Sequence, residues 1–320
     1  MSSAIFRLIS RLGLLVGACL LGLALLGPVV LGGHVDAFYG RFTSPLAGSL
    51  IVGTSRAAQG IQPAVLAERL GSRFEGPWLN YSFTLTHSPY GPAYLRSIQR
   101  KVRPEAKNGL FIVAVDPWSL ALTGFEGTYP EDNSFIGQLD QVSQNPNLSY
   151  LTRFQTKPLY RLLLDYATAT ERLHPDGWLE VKIGIDSAQV RTRIARKLQD
   201  YRRLAASQHF SQGRLQALQQ TVAFLKQHGQ VVMVRLPVGA GLLKLEQDYQ
   251  PAFDSLMRDL ATRHAVPYLD YSAQPYATTD GNHLQRTASA AFSARLAQDL
   301  QRLSFPNPSS KATRAAATPQ

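Results

Sequence analysis

The stretch Ser49-Leu50-Ile51-Val52-Gly53-Thr54-Ser55-Arg56 decides how this chain folds and where its chemistry should lie. Its apolar run predicts a buried strand, and the Gly-Thr-Ser that follows predicts a turn that presents a serine. A strand covered on both faces is typical of a parallel sheet, and such sheets bind ligands beyond the carboxyl ends of their strands. Ser55 is therefore the first candidate for a reactive side chain.

Strands and helices alternate outward from this segment. Further strands are predicted at Pro77–Phe83, Gly109–Val115, Gln230–Leu236 and Pro267–Tyr271. Helices are predicted at Pro63–Gly71, Pro92–Val102, Leu215–Leu225, Tyr249–His264 and Phe292–Leu303. Residues 54–60 are expected to form a loop or a short helical turn. The alternation predicts a three-layer α/β/α domain with a central, mostly parallel, doubly wound sheet.

The alternation is interrupted at about residues 118–203, which are polar and rich in turn residues and aromatics. We predict an insertion over the functional edge of the sheet, helical near Leu159–Ala169 and Val190–Ala205, although a purely structural excursion is the alternative. One domain would then occupy residues 34–304. Residues 305–320, dominated by Pro, Ser, Ala and Thr, predict a disordered tail.

Residues 1–33 predict a cytoplasmic stub and a transmembrane anchor. Leu12–Gly33 contains no charged residue, and it is long enough to cross a bilayer at about 1.5 Å per residue. Arg7 and Arg11 precede this run, so the positive-inside rule places the N-terminus in the cytoplasm and the domain outside. A cleaved signal peptide is the alternative, because its basic beginning would look the same.

Composition limits the classes of function. The 320 residues are 45% hydrophobic and 17% charged, as expected of a globular protein with a large core. The net charge of +11 is compatible with nucleic acid, anionic lipid or an acidic polymer as partner. The basic residues lack interleaved aromatics, which together with the membrane segment argues against nucleic acid. With Cys19 the sole cysteine, no paired histidines and no glycine-rich phosphate loop, we expect neither a metal nor a cofactor.

A second segment, Asp280-Gly281-Asn282-His283, precedes the closing helix. A serine hydroxyl is a weak nucleophile that needs a nearby base, and the base needs an acceptor that orients its ring. His283 can be this base and Asp280 this acceptor, so the chain carries a complete Ser/His/Asp set. Both segments are also ordinary turn sequences. His87 is a rival base, but it has no neighbouring acid in the sequence.

Other polar side chains are expected at the same edge of the sheet. The oxyanion that develops during acyl transfer needs hydrogen-bond donors, which the Ser55 backbone N–H, Asn80 or Ser82 could supply. Arg56 and Arg235 could hold an anionic or sugar substrate, or form salt bridges at the sheet edge. Asp116 could support the site or cap a turn.

The order of these residues resembles the SGNH (GDSL-like) hydrolase superfamily. Residues 53–61, Gly-Thr-Ser-Arg-Ala-Ala-Gln-Gly-Ile, resemble the G-[ST]-S-R-x-x-x-G-I block of its membrane-anchored branch. That branch includes the D-alanyl-lipoteichoic acid protein DltD and polysaccharide O-acetylation proteins. Val234–Val238 is similar to the branch's fourth strand, and Asp280-x-x-His283 to its last block. The resemblance covers about Ser49 to Leu303, apart from the insertion.

This resemblance implies that Ser55 is the nucleophile, His283 the base and Asp280 its orienter. It implies a serine-dependent acyl esterase or acyltransferase that acts outside the cytoplasm on acylated cell-envelope or exported polysaccharide, with a membrane-bound O-acyltransferase as partner. Ser82 stands where the family has a glycine, and Asp116 where it has an asparagine. These departures favour the alternative of a non-catalytic binding or assembly protein; an adhesin or scaffold is a third interpretation.

Overall fold

A computed structural model describes residues 3–168 and 170–305. Its strands are β1 (Ser49–Val52), β2 (Trp78–Asn80), β3 (Gly109–Ala114), β4 (Ala121–Leu122), β5 (Glu171–Leu173), β6 (Leu179–Val181), β7 (His209–Phe210), β8 (Gly229–Arg235) and β9 (Tyr268–Asp270). Five of them form a sheet in the order β2-β1-β3-β8-β9, with every neighbouring pair parallel. The predicted α/β class with a parallel central sheet is therefore confirmed.

Helices cover both faces of this sheet. They are α1 (Ser3–Leu31), α2 (Tyr39–Thr43), α3 (Ser55–Gly60), α4 (Pro63–Leu70), α5 (Pro92–Lys101), α6 (Phe135–Gln138), α7 (Leu148–Arg153), α8 (Leu159–Thr168), α9 (Ser187–Ser207), α10 (Gln212–Leu225), α11 (Ala240–Tyr249), α12 (Phe253–His264) and α13 (Arg286–Arg302). Two 3₁₀ turns lie at Pro117–Leu120 and Pro130–Asn133.

Because side chains alternate along each strand, the two faces of the sheet contribute to two different cores. On β1, Leu50 and Val52 contribute to the core that contains α5, α10 and α12, whereas Ile51 contributes to the core that contains α3, α4 and α13. β3 and β8 alternate in the same way, which accounts for their unbroken apolar sequences. The result is the expected arrangement of three layers.

Two features of the chain differ from or extend the sequence-based prediction. The helix predicted over Tyr249–His264 is wrong in its bounds, because α11 ends at Tyr249 and α12 begins at Phe253. Pro251 lies between them, and proline has no N–H with which to continue a helix. The segment at 118–203 contains β4, the antiparallel pair β5–β6, α6–α8 and most of α9. The tail predicted at 305–320 lies almost wholly outside the described residues.

Helix α1 meets the length and composition of a membrane span. A signal sequence at the N-terminus would meet the same criteria of length and composition.

Candidate active site

A tight passage from β1 into α3 places Ser55 at the first residue of the helix. Gly53 adopts φ +152, and a Cβ built on it would lie 2.8 Å from the Ala114 Cβ on β3. Only a residue without a side chain lets the chain turn so close to the neighbouring strand. The glycine in the Gly-Thr-Ser sequence thus fixes where the serine hydroxyl emerges.

The structure brings the ends of the domain together at this serine. His283 Nε2 lies 2.9 Å from Ser55 Oγ, and His283 Nδ1 lies 2.9 Å from Asp280 Oδ2. An ionised carboxylate only accepts hydrogen bonds, so the ring proton sits on Nδ1 and Nε2 accepts from the serine hydroxyl. The side chains of His283 and Asp280 are each 12% exposed. This arrangement is what general-base activation of a serine requires.

The loop that carries His283 is held by Asp280 itself. Asp280 Oδ1 accepts the backbone N–H groups of Asn282 and His283, each at 2.9 Å. Burial raises the pKa of Asp280, but the hydrogen bond from His283 and the charge of Lys197 outweigh this and hold the pKa well below its usual range. The carboxylate is therefore ionised at neutral pH and available to stabilise a protonated imidazole.

Helix α9 provides a cation that the sequence analysis did not assign to the site. Lys197 Nζ lies 3.4 Å from Asp280 Oδ2, the same oxygen that contacts His283. One turn earlier, Arg193 Nε donates to the backbone oxygen of Thr279 at 2.9 Å. The sequence showed only a scattered basic stretch here, and nothing in it distinguished Lys197 from its basic neighbours.

The side chain of Asn282 contacts both His283 and Arg56, the residue that follows Ser55. Arg56 Nε donates to Asn282 Oδ1 at 2.7 Å, and Asn282 Nδ2 lies 3.0 Å from His283 Nε2. Because a guanidinium can only donate, the amide oxygen faces Arg56 and the amide nitrogen faces the imidazole. Two donors, the Ser55 hydroxyl and this amide, therefore share the Nε2 lone pair.

Arg56 and Arg235 are buried in a charge network and not exposed to a substrate. The Glu246 side chain accepts from Arg56 Nη2, from Arg235 Nη2 at 2.8 Å and from Trp118 Nε1 at 2.9 Å. Burial alone would lower the pKa of Arg56, but the Glu246 charge outweighs it and raises the pKa above its ordinary value. The salt-bridge interpretation of Arg56 and Arg235 is the one observed, and the substrate-binding interpretation is not.

The side chains of Asn80 and Ser82 occupy the core beneath α3. Asn80 Nδ2 donates to the backbone oxygens of Ala57 and Ile61 at 2.7 and 2.9 Å, and Asn80 Oδ1 accepts the Ser82 N–H at 3.2 Å. A fully buried amide must satisfy its donors, and the carbonyls at the end of α3 are the nearest acceptors. These groups brace α3 and are not placed as the oxyanion donors that the sequence suggested.

Asp116 caps the 3₁₀ turn after β3. Its Oδ1 accepts the Ser119 N–H at 2.9 Å, and its Oδ2 accepts the Thr54 hydroxyl at 3.3 Å. Burial raises the pKa of Asp116, and the charge of Arg56 only partly offsets the effect. The capping interpretation is therefore the observed one.

His87, the rival base, lies in an aromatic cluster. Its ring centroid is 4.7 Å from that of Phe38 and 5.0 Å from that of Phe135, and its Nδ1 contacts Thr84 Oγ1 at 2.7 Å. Burial lowers the pKa of His87, which favours the neutral ring. These contacts give it a packing role. In the described ranges, no group of three or more metal-ligating side chains is placed to hold a metal ion.

Comparisons with known proteins add little to this geometry. No family model and no curated protein matches the chain. Among solved structures, the native aryl esterase of M. smegmatis shares 13% identity, with a TM-score of 0.37 over 80% of this chain and 100% of that one. A carbohydrate acetylesterase from Sinorhizobium meliloti shares 12% identity, with a TM-score of 0.36 over 79% of this chain and 98% of that one. Likeness at this level carries no argument about this chain's activity.

Proposed function

We propose that the chain is an extracytoplasmic serine esterase or acyltransferase that forms an acyl-Ser55 intermediate on acylated cell-envelope or exported polysaccharide. The observation that carries this proposal is the 2.9 Å hydrogen bond between Ser55 Oγ and His283 Nε2, continued by the 2.9 Å contact from His283 Nδ1 to Asp280. If Ser55 and His283 were only turn residues that met by chance, there would be no reason for the ionised Asp280 carboxylate to orient the His283 ring as well.

The reaction follows from the positions of the protons. The Ser55 hydroxyl oxygen attacks the ester carbonyl carbon while its proton passes to His283 Nε2, and Asp280 stabilises the resulting imidazolium. The tetrahedral oxyanion meets the Ser55 backbone N–H, which at the first turn of α3 has no intrahelical acceptor. The imidazolium then protonates the leaving alkoxide. Water or a sugar hydroxyl attacks the acyl-serine in the reverse sequence.

The end of α1 supports an anchor that is retained. Val29 and Val35 are buried in the main core, and Asn145 Nδ2 donates to the Leu31 carbonyl at 2.7 Å. Cleavage in this region would remove part of the core, at a cost of about 2 kcal/mol for each buried valine. With Arg7 and Arg11 on the cytoplasmic side, the domain would lie outside the membrane, within reach of a membrane-bound O-acyltransferase.

The direct test is ester hydrolysis by the purified full chain with p-nitrophenyl acetate. We expect Ser55→Ala and His283→Gln each to lower kcat/KM by about 10³-fold or more, and Asp280→Asn to lower it nearly as far. His87→Gln is the matched control, a partly buried histidine outside the site, and should leave the rate within about twofold. Equal rates for the wild type and Ser55→Ala would contradict the proposal.

The alternative of a non-catalytic binding or assembly protein is favoured by one specific observation. The donors of Asn80 and Ser82 are already hydrogen-bonded, and Asp116 is occupied as a cap, which leaves few groups to stabilise an oxyanion. Under this alternative, the wild type would hydrolyse esters no faster than Ser55→Ala, while both bind acylated glycan equally in a direct titration.

A further inference from the structure

The imidazole nitrogen that acts as the base has two hydrogen-bond donors beside it. His283 Nε2 lies 2.9 Å from Ser55 Oγ and 3.0 Å from Asn282 Nδ2. The unprotonated nitrogen of a neutral imidazole has a single lone pair, so it can accept well from only one of the two. Activation of the Ser55 hydroxyl requires that lone pair. The resting site therefore gives the Asn282 amide no function of its own.

A buried ion pair fixes which way this amide faces. Asn282 is only 2% exposed, and its Oδ1 accepts from Arg56 Nε at 2.7 Å. Arg56 is held in turn by Glu246, whose side chain is fully buried. Turning the amide over would place its NH₂ group against the guanidinium, which can only donate. The Asn282 N–H therefore stays beside Nε2 when the imidazole gains a proton.

Proton transfer from Ser55 changes what this amide can bind. Once Nε2 carries the serine proton it is a donor, and the Asn282 N–H beside it has lost Nε2 as an acceptor. A buried donor without an acceptor is costly. An oxygen atom that comes close to Nε2 and gains negative charge can accept from the imidazolium N–H and the amide N–H together, and hydrogen bonds to such an oxygen are strong.

The leaving oxygen of the substrate is the atom that meets this description. When the tetrahedral intermediate breaks down, the bond between the acyl carbon and the leaving oxygen breaks, and the proton on Nε2 passes to that oxygen. The products are acyl-Ser55, a free alcohol and neutral His283. The leaving oxygen must therefore come within hydrogen-bond distance of Nε2, next to the amide. The oxyanion has no such requirement, because it takes no proton from His283.

We propose that Asn282 is a catalytic residue whose amide N–H stabilises the negative charge that develops on the leaving oxygen, and that Arg56 positions this amide. The inference rests on the proposed acyl chemistry at Ser55 and names its substrate class, which is esters of alcohols, sugar hydroxyls included. An alkoxide concentrates its charge on one oxygen and needs such a donor. A nitrophenolate spreads its charge over the ring and needs it much less. The interaction forms only as the bond breaks, so it accelerates the reaction without tightening substrate binding.

The experiment compares two acetates that deliver the same acyl group to the purified full chain. Ethyl acetate releases an alkoxide and p-nitrophenyl acetate a phenolate, and kcat/KM for each reports on acylation. We expect Asn282→Ala to lower the ratio of kcat/KM for ethyl acetate to that for p-nitrophenyl acetate by about 30-fold or more, since one donor to developing charge is worth about 10²-fold. The fraction of folded enzyme cancels in this ratio. Asn282→Asp keeps an oxygen for Arg56 but has no N–H, and it should lower the ratio at least as far.

Gln285→Ala is the matched control. It removes another amide from the same segment, one that donates to the Thr278 carbonyl at 3.1 Å, and it should leave the ratio within about twofold. An unchanged ratio in both Asn282 variants would overturn the role given to Asn282 and leave acyl chemistry at Ser55 standing, as would a wild type that hydrolyses only p-nitrophenyl acetate. A wild type that hydrolyses neither acetate faster than Ser55→Ala would contradict the proposed function and this inference with it.

Discussion

Arg56, which directly follows the candidate nucleophile, donates a 2.7 Å hydrogen bond to Asn282, which directly precedes the candidate base. The two halves of the site are thus joined through their chain neighbours as well as through the contact between Ser55 and His283. Glu246, whose side chain is fully buried, anchors Arg56 from beneath. These contacts hold the Ser55 hydroxyl and the His283 imidazole in their hydrogen-bonded positions before a substrate binds.

This brace makes Arg56 important for stability. In Arg56→Met, the buried Glu246 carboxylate loses one of its two cationic partners, and we expect unfolding free energy to fall by about 3 kcal/mol. Urea denaturation measures the loss. The double variant Arg56→Met/Glu246→Gln should recover part of it, because the uncompensated charge is removed. A single variant within about 0.5 kcal/mol of the wild type would contradict the role given to this network.

Lys197 should tune the pH dependence of activity. Its cation lies 3.4 Å from Asp280 Oδ2 and is one of the causes that hold the pKa of Asp280 below its usual range. In Lys197→Met, the pKa of Asp280 should rise toward its usual range, so the acidic limb of the kcat/KM profile should move upward by about half a pH unit.

The neighbouring charges make this prediction specific. Arg193 contacts the Thr279 carbonyl and Arg56 is neutralised by Glu246, so neither replaces Lys197 at the carboxylate. Arg196→Met, on an exposed part of α9, is the control and should leave the limb in place. A limb that moves downward, or moves equally in both variants, would count against the account.

Gly53 should tolerate no side chain. Alanine at φ +152 is strained, and its Cβ would also meet the Ala114 side chain at 2.8 Å. We expect Gly53→Ala to lower unfolding free energy by about 3 kcal/mol and to reduce ester hydrolysis by displacing Ser55. Gly124→Ala is the matched control, since φ is +89 there and nothing lies within 4 Å; it should cost about 1 kcal/mol. Equal costs at both sites would contradict the importance of the close approach.

The sheet could be predicted because both of its faces are covered. Unbroken apolar runs at Ser49–Val52 and Gly109–Val115 correspond to β1 and β3 within one residue. A short apolar run is readily assigned to a buried strand when the segments on either side of it have the apolar periodicity of helices. The helix predicted from Tyr249 began four residues too early, because Pro251 has no N–H with which to continue a helix, and α11 was not among the predicted helices.

The site could be predicted only in part. Ser55, His283 and Asp280 could be named because each follows a segment whose sequence predicts a strand end or a turn. Asn80 was predicted as a possible oxyanion donor, whereas its amide donates to the buried carbonyls of Ala57 and Ile61, which packing decides and the local sequence does not show. The contact of Lys197 with Asp280 depends on how α9 packs against the loop that carries Asp280 and His283. A contact between residues so far apart in the chain cannot be predicted from the local spacing of residue types.

The central claim is that the Ser55 hydroxyl is activated by His283, and covalent labelling tests it most directly. The full chain is treated with a fluorophosphonate, and the modified peptide is identified by mass spectrometry. The account predicts one phosphonyl adduct on Ser55, none in Ser55→Ala, and labelling slowed by about 10³-fold in His283→Ala. An adduct that forms at the same rate without His283, or a wild-type Ser55 that remains unmodified, would contradict it.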